Sequence, residues 1–139
     1  MILAATSYWE VISYCLYTNI KINKQTKEPS TKYTLLKSMI GYIQDHYSEN
    51  VKLKDIADSV NISISSCNDV FQKQIHLSPI SYLLQYRLYQ SRKMLYSTSI
   101  PINEIAFRCG FSSPSYFIEC FRKEYMITPK KFRNTVRED

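Results

Sequence analysis

Glycine is scarce: the chain has two in 139 residues, Gly41 and Gly110. No Gly-rich loop of the phosphate-cradling kind can therefore be assembled. Zinc-type spacing is also missing. The four cysteines, Cys15, Cys67, Cys109 and Cys120, are scattered without a C-x-x-C pair, and neither His46 nor His76 lies beside one. This speaks against a metal site. Cys67 and Cys120 fall on apolar faces of predicted helices, where a reduced thiol acts as a small hydrophobe. A reducing, cytoplasmic setting fits that use better than secretion. No segment alternates apolar and polar residues convincingly, which argues against strands. No Ser/His/Asp set or carboxylate pair carries a supporting motif, so the chain is expected not to be an enzyme, and nothing calls for a cofactor. The apolar start, MILAATSYWEVISYCLY, lacks a basic flank and a small-x-small cleavage pattern, and Glu10 interrupts it. A signal peptide and a membrane span are both disfavoured.

What is present is helical and basic. Hydrophobic residues make up 45% of the chain, enough for a core, and the formal net charge is +6. Residues 1–30 hold three lysines and two acids, against 15 basic and 10 acidic residues in 31–139. The excess thus sits in the larger part, and it suits a polyanion partner, with a merely solvated surface as the bland alternative. Twelve tyrosines serve cores, partner surfaces and phosphate contacts equally, and decide nothing alone.

The expected fold is all-α. Residues 3–20 show an apolar stripe (Tyr8, Val11, Ile12, Cys15, Leu16, Ile20), and a polar linker follows from Lys21 to Lys32. Residues 1–32 are read as this helix and linker, and 33–139 as the main domain. There, Thr34–Tyr47 presents Leu36, Met39, Ile40 and Ile43, and Leu53–Val60 presents Leu53, Ile56, Ala57 and Val60. Asn61 suits a left-handed turn, and Ser63 can cap a helix carrying Cys67, Val70, Phe71 and Ile75. Ser78-Pro79 opens a long helix to about Ser97. Ile102–Cys109 and Pro114–Tyr125 flank Gly110, and Thr128-Pro129 starts a last turn with Phe132.

Two segments repeat one pattern. Leu53–Pro79 and Ile102–Pro129 align through Ile56-Ala57 with Ile105-Ala106, through Asn61 with Gly110, and through Ser78-Pro79 with Thr128-Pro129. One residue of offset is absorbed in the turn. Each unit is a short helix, a tight turn and a second helix opening on serines, the layout of a helix-turn-helix. The expected bounds are about 53–77 and 102–126, joined by a helix over about 79–97. Two such units on one helix can set recognition helices roughly 34 Å apart, one turn of B-DNA.

The stretch IAFRCGFSSPSYFIECFRKEYMITPKKFR, with the earlier echo and RLYQSRKML between them, resembles the C-terminal DNA-binding domain of AraC/XylS-type transcription regulators over residues 33–135. The resemblance implies a sequence-specific regulator, most often an activator, that reads two successive major grooves of double-stranded DNA. RNA polymerase is a further partner implied by such a role. Where the family commonly has Gly, this chain has Asn61, His76 and Met126, so the last two turns are expected to be altered or strained. Ser91 replaces a usual Ala, a mild change.

By position in that family, Ser65, Asn68 and Asp69 match base-reading places, with Ser66 and Gln72 also facing outward on the first recognition helix. Asn68 suits adenine and Asp69 suits cytosine. Ser115, Tyr116 and Glu119 are the outward set of the second helix. Phosphate candidates are Lys73, Arg87, Arg122, Lys123, Lys130 and Lys131, with the hydroxyls of Ser63 and Ser112. Arg108 is the candidate for an ion pair with a nearby acid instead, and His46 for a surface or capping residue. No arginine is expected on the leading face of either helix. That keeps a second reading open: a helical protein-interaction module with weak or non-specific DNA binding. Two readings remain for the N-terminal stretch: residues 3–20 as a homodimer seam or packing surface, and residues 1–20 as a membrane-surface helix. About 30 residues are too few for a ligand-binding barrel, so this segment is read as a remnant of a sensing domain or as that seam.

Overall fold

The structure, a computed structural model, describes residues 31–138. The expected 3–20 helix and most of the linker lie outside the described residues. The described residues form seven α-helices: α1 (Thr31–His46), α2 (Leu53–Asp58), α3 (Ile64–Ile75), α4 (Pro79–Ser97), α5 (Ile102–Arg108), α6 (Pro114–Tyr125) and α7 (Pro129–Glu138). They fall into two compact units. The first runs to Asp45 and takes in Val51–Tyr82, and the second holds His46–Asn50 and everything from Leu83 on. Helix α4 begins in the first and continues into the second.

In the first unit, α1 buries Leu36, Met39, Ile40 and Ile43, the stripe that the three-to-four spacing marks out. It starts at Thr31, three residues before the expected Thr34. Helix α2 buries Ile56 and Ala57 and ends at Asp58, before the expected Val60. The chain turns there because Asn61 takes a left-handed φ of 56°. The Ile62 amide then donates back to the Ala57 carbonyl at 3.2 Å. Ser63 caps α3 by accepting from the Ser66 amide at 3.1 Å. Helix α3 buries Cys67, Val70 and Phe71. Phe71 meets Tyr82 edge-on, with ring centroids 6.0 Å apart.

The second unit repeats the turn bond and the serine cap of this frame. Helix α5 buries Ile105 and Ala106 and ends one residue short of the expected Cys109. Gly110 turns with φ 84°, and the Phe111 amide donates to the Ala106 carbonyl at 3.0 Å. The cap of α6 is Ser113, which accepts from the Tyr116 amide at 3.2 Å. Phe117 and Phe121 take the places of Cys67 and Phe71. The core joins Leu88, Leu95, Ile105, Ala106, Cys109, Phe111, Phe117 and Phe121. Rings meet in series, tilted or edge-on: Phe111 to Phe117 at 5.0 Å, Phe117 to Phe121 at 5.8 Å, and Phe121 to the partly buried Phe132 at 5.8 Å. Each buried phenylalanine contributes roughly 1.5–3 kcal/mol of transfer free energy.

The last turn expected around Phe132 is instead a full helix, Pro129–Glu138. Thr128 caps it, accepting from the Lys131 amide at 3.3 Å. Distant partners secure its far end. Arg137 donates to the Thr98 carbonyl at 3.2 Å and the Ser99 hydroxyl at 3.0 Å. Arg133 donates to the Leu95 carbonyl at 3.4 Å. Ser91 is buried on α4 and donates to the Leu88 carbonyl at 2.6 Å, so its hydroxyl is satisfied where an alanine would carry none.

Candidate nucleic-acid interface

Each recognition helix, α3 and α6, hides one stripe and displays another. On α3, Ser65, Ser66, Asn68, Asp69 and Gln72 are all exposed, opposite Cys67, Val70 and Phe71. Ser66 also supports the cap, because its hydroxyl accepts from Ser63 at 3.0 Å. On α6, Ser115, Tyr116 and Glu119 are exposed, opposite Phe117 and Phe121. Neither helix has an acid in its first turn, so the positive end of each macrodipole is left for an anion.

Tyr116 is more constrained than exposure suggests. Its ring lies edge-on against Phe111 at 6.0 Å. A hydrogen bond with the Cys120 thiol, followed by the charge interaction with that thiol, pushes its hydroxyl above the ordinary tyrosine range. Glu119 is 3.3 Å from Lys123 one turn on, so the two form an exposed ion pair on the same face. Such a pair is worth little to stability and is easily exchanged for other partners.

Lys73, Arg122, Lys123, Lys130 and Lys131 are all exposed. Lys130 and Lys131 stand in the first turn of α7, where the helix dipole disfavours cations. An anion at that helix start would meet both lysines and the capped amides together. Two phosphate candidates sit differently from the rest. Arg87 donates through Nε to the Tyr47 carbonyl at 2.7 Å and through Nη2 to the Glu49 carbonyl at 2.8 Å. Burial lowers its pKa, and its guanidinium is committed to holding the 46–50 segment. Ser112 is exposed but caps nothing; the helix start belongs to Ser113. Ser63 is likewise occupied by its cap, with an exposed edge remaining.

The repeat places two further residues on the α6 face. The one-residue offset aligns Asn68 with Ile118 and Gln72 with Arg122. Ile118 is 36% exposed, and Arg122 is exposed in the last turn. Arg122 thus continues the outward stripe into the last turn, while the leading turns of both helices carry no arginine. The signal was in the sequence: shifting the alignment by one residue after the turn brings both into register.

The turns after the recognition helices keep the left-handed geometry without glycine. His76 has φ 57° and Met126 φ 60°, and their amides donate to Gln72 and Arg122 at 3.1 and 2.9 Å. The departure from glycine thus leaves the turn in place, at a steric cost of roughly 1–2 kcal/mol per residue. Arg108 pairs with Glu104, its Nε 2.9 Å from the carboxylate. His46, at the end of α1, lies 3.1 Å from Glu49. Among the described residues, no cluster suits a metal ion and no helix is long and apolar enough to cross a membrane.

A family model described as a helix-turn-helix domain matches residues 56–135. The HTH-type transcriptional regulator GbdR of Pseudomonas aeruginosa is 34% identical over 103 residues, 74% of this chain and 28% of its own length. The HTH-type transcriptional activator RhaS of an Enterobacter species is 30% identical over 98 residues, 70% of this chain and 35% of its own. The chain thus spans about a third of the length of the curated relatives it matches. A solved transcriptional regulator from Chromobacterium violaceum, described as AraC-type DNA-binding, superposes with TM-score 0.72 at 28% identity. The match covers 78% of this chain and 96% of that one.

Proposed function

The chain belongs to the AraC/XylS-type helix-turn-helix family, and on that premise we propose that it is a DNA-binding transcription regulator acting as an activator. Helices α3 and α6 enter successive major grooves of a double-stranded site. The observation that carries this reading is the twice-built frame. In each unit a left-handed turn, a serine cap and a buried stripe hold one helix so that its opposite face stays exposed. Asn68, Asp69 and Ser65 read bases from α3, and Ser115 and Glu119 do so from α6. Lys73, Arg122, Lys123, Lys130 and Lys131 grip phosphates. The kinship with RhaS, described as an activator, supports the direction of regulation. RNA polymerase is the partner that an activator needs. A homodimer through residues 3–20 is a separate proposal, tested by solution mass with and without residues 1–28. The interaction-module reading is disfavoured because the relatives that the chain resembles are transcription regulators.

Selection of bound sequences from a random duplex pool tests the proposal. The expected product is a motif with two short conserved blocks about one helical turn apart. A pool that stays random after repeated rounds at low salt would falsify it.

A further inference from the structure

Resting on the DNA-binding reading, we propose that Ile118 is a base-specificity residue that reads a thymine through its 5-methyl group. Three observations converge on it. The internal repeat puts Ile118 where α3 has Asn68, on the stripe Ser115–Ile118–Arg122 that corresponds to Ser65–Asn68–Gln72. The residue is 36% exposed, although its side chain is branched and apolar and the helix already has a buried stripe in Phe117 and Phe121. Its neighbours on that stripe are a hydroxyl and a guanidinium, both exposed and both suited to the groove.

The chemistry selects the base. An aliphatic side chain makes no hydrogen bond, so the N and O atoms on the base edges offer it nothing. The one apolar group that a base pair displays in the major groove is the thymine methyl. Contact between that methyl and the isoleucine removes both from water. Cytosine, adenine or guanine at that position leaves the side chain facing polar edges. The two units then read in different ways: α3 by hydrogen bonds from Asn68, α6 by methyl contact from Ile118.

The test uses the site recovered from the random pool. Each thymine is replaced in turn by deoxyuridine, which removes only the methyl, and binding is measured for the full chain and for Ile118→Ala. One deoxyuridine should weaken the parent chain about three- to fivefold, the value of one buried methyl contact. The same replacement should leave Ile118→Ala unaffected, since coupled losses do not add. A second variant, Ile118→Asn, should shift the preferred base at that position from thymine to adenine, in the manner of Asn68. Full uridine sensitivity retained in Ile118→Ala, or no sensitive thymine at all, overturns the assignment while leaving the DNA-binding reading intact. Failure to recover any site overturns both.

Discussion

Where the first unit carries Gln72, Lys73, Ile80 and Ser81, the second carries Arg122, Lys123, Lys130 and Lys131. One positive charge faces four at matched positions. Meanwhile the backbone frame hardly changes: the turn bonds are 3.2 and 3.0 Å, and the serine caps 3.1 and 3.2 Å. The local fold is set by caps, turns and the buried stripe, and those leave the outward side chains free to differ. The second unit thus carries the greater positive charge at these positions, which suits it to grip phosphates. The first keeps a polar face, Ser65, Asn68, Asp69 and Gln72, better suited to discrimination than to grip.

The interiors differ too, and that contrast is where substitutions should act most strongly. Phe117 occupies the place of Cys67, and both are fully buried. Phe117→Ala should cost about 3–5 kcal/mol, and Cys67→Ala only about 1 kcal/mol, in denaturant titration. Similar values at the two sites would mean that the units do not share one frame. The turns come next. A Cβ on Gly110 would collide with the Tyr47 carbonyl and with Arg87, besides meeting a left-handed φ of 84°. Gly110→Ala should therefore cost at least about 3 kcal/mol, while Asn61→Ala, strained by φ alone, should cost about 1 kcal/mol.

Arg87 has no counterpart role in the first unit. Arg87→Met should destabilise by about 2 kcal/mol, through two lost charged hydrogen bonds, yet leave the salt dependence of DNA binding unchanged. A shallower salt dependence would restore it as a phosphate ligand. A small effect of opposite sign should come from Arg133, which aligns with the buried Leu83. Its guanidinium is nearly enclosed, its Nη2 has no hydrogen-bond partner, and burial, then repulsion from Arg137, lowers its pKa. Arg133→Leu should stabilise by about 1 kcal/mol, and thermal unfolding would show the gain.

Much of this was legible locally. The apolar stripes of α1, α3 and α6 follow from helical spacing, and the turns at Asn61 and Gly110 from residue type. The misreadings share a physical cause, dependence on partners far along the chain. Helix α7 is too polar to announce itself, and Arg137 ties its far end to the Thr98 carbonyl 39 residues earlier. Arg87 looked like a free cation because its acceptor, the Tyr47 carbonyl, lies 40 residues away. Which serine caps α6 was not legible, since Ser112 and Ser113 are chemically identical and only the turn chooses Ser113. Ile118 escaped notice because an apolar residue on a helix reads as core until the opposite stripe is seen to be full.

Salt dependence of binding to the selected site, measured for the parent chain and for a variant with Arg122, Lys130 and Lys131 changed to Gln, tests the central claim most directly. Each phosphate contact contributes about 0.9 to the log–log slope, so the variant should lose about 2.7, whereas Lys73→Gln should lose about 0.9. Equal slopes for the parent and the triple variant, or no binding by the parent chain at low salt, would contradict a DNA-binding domain anchored through its second unit.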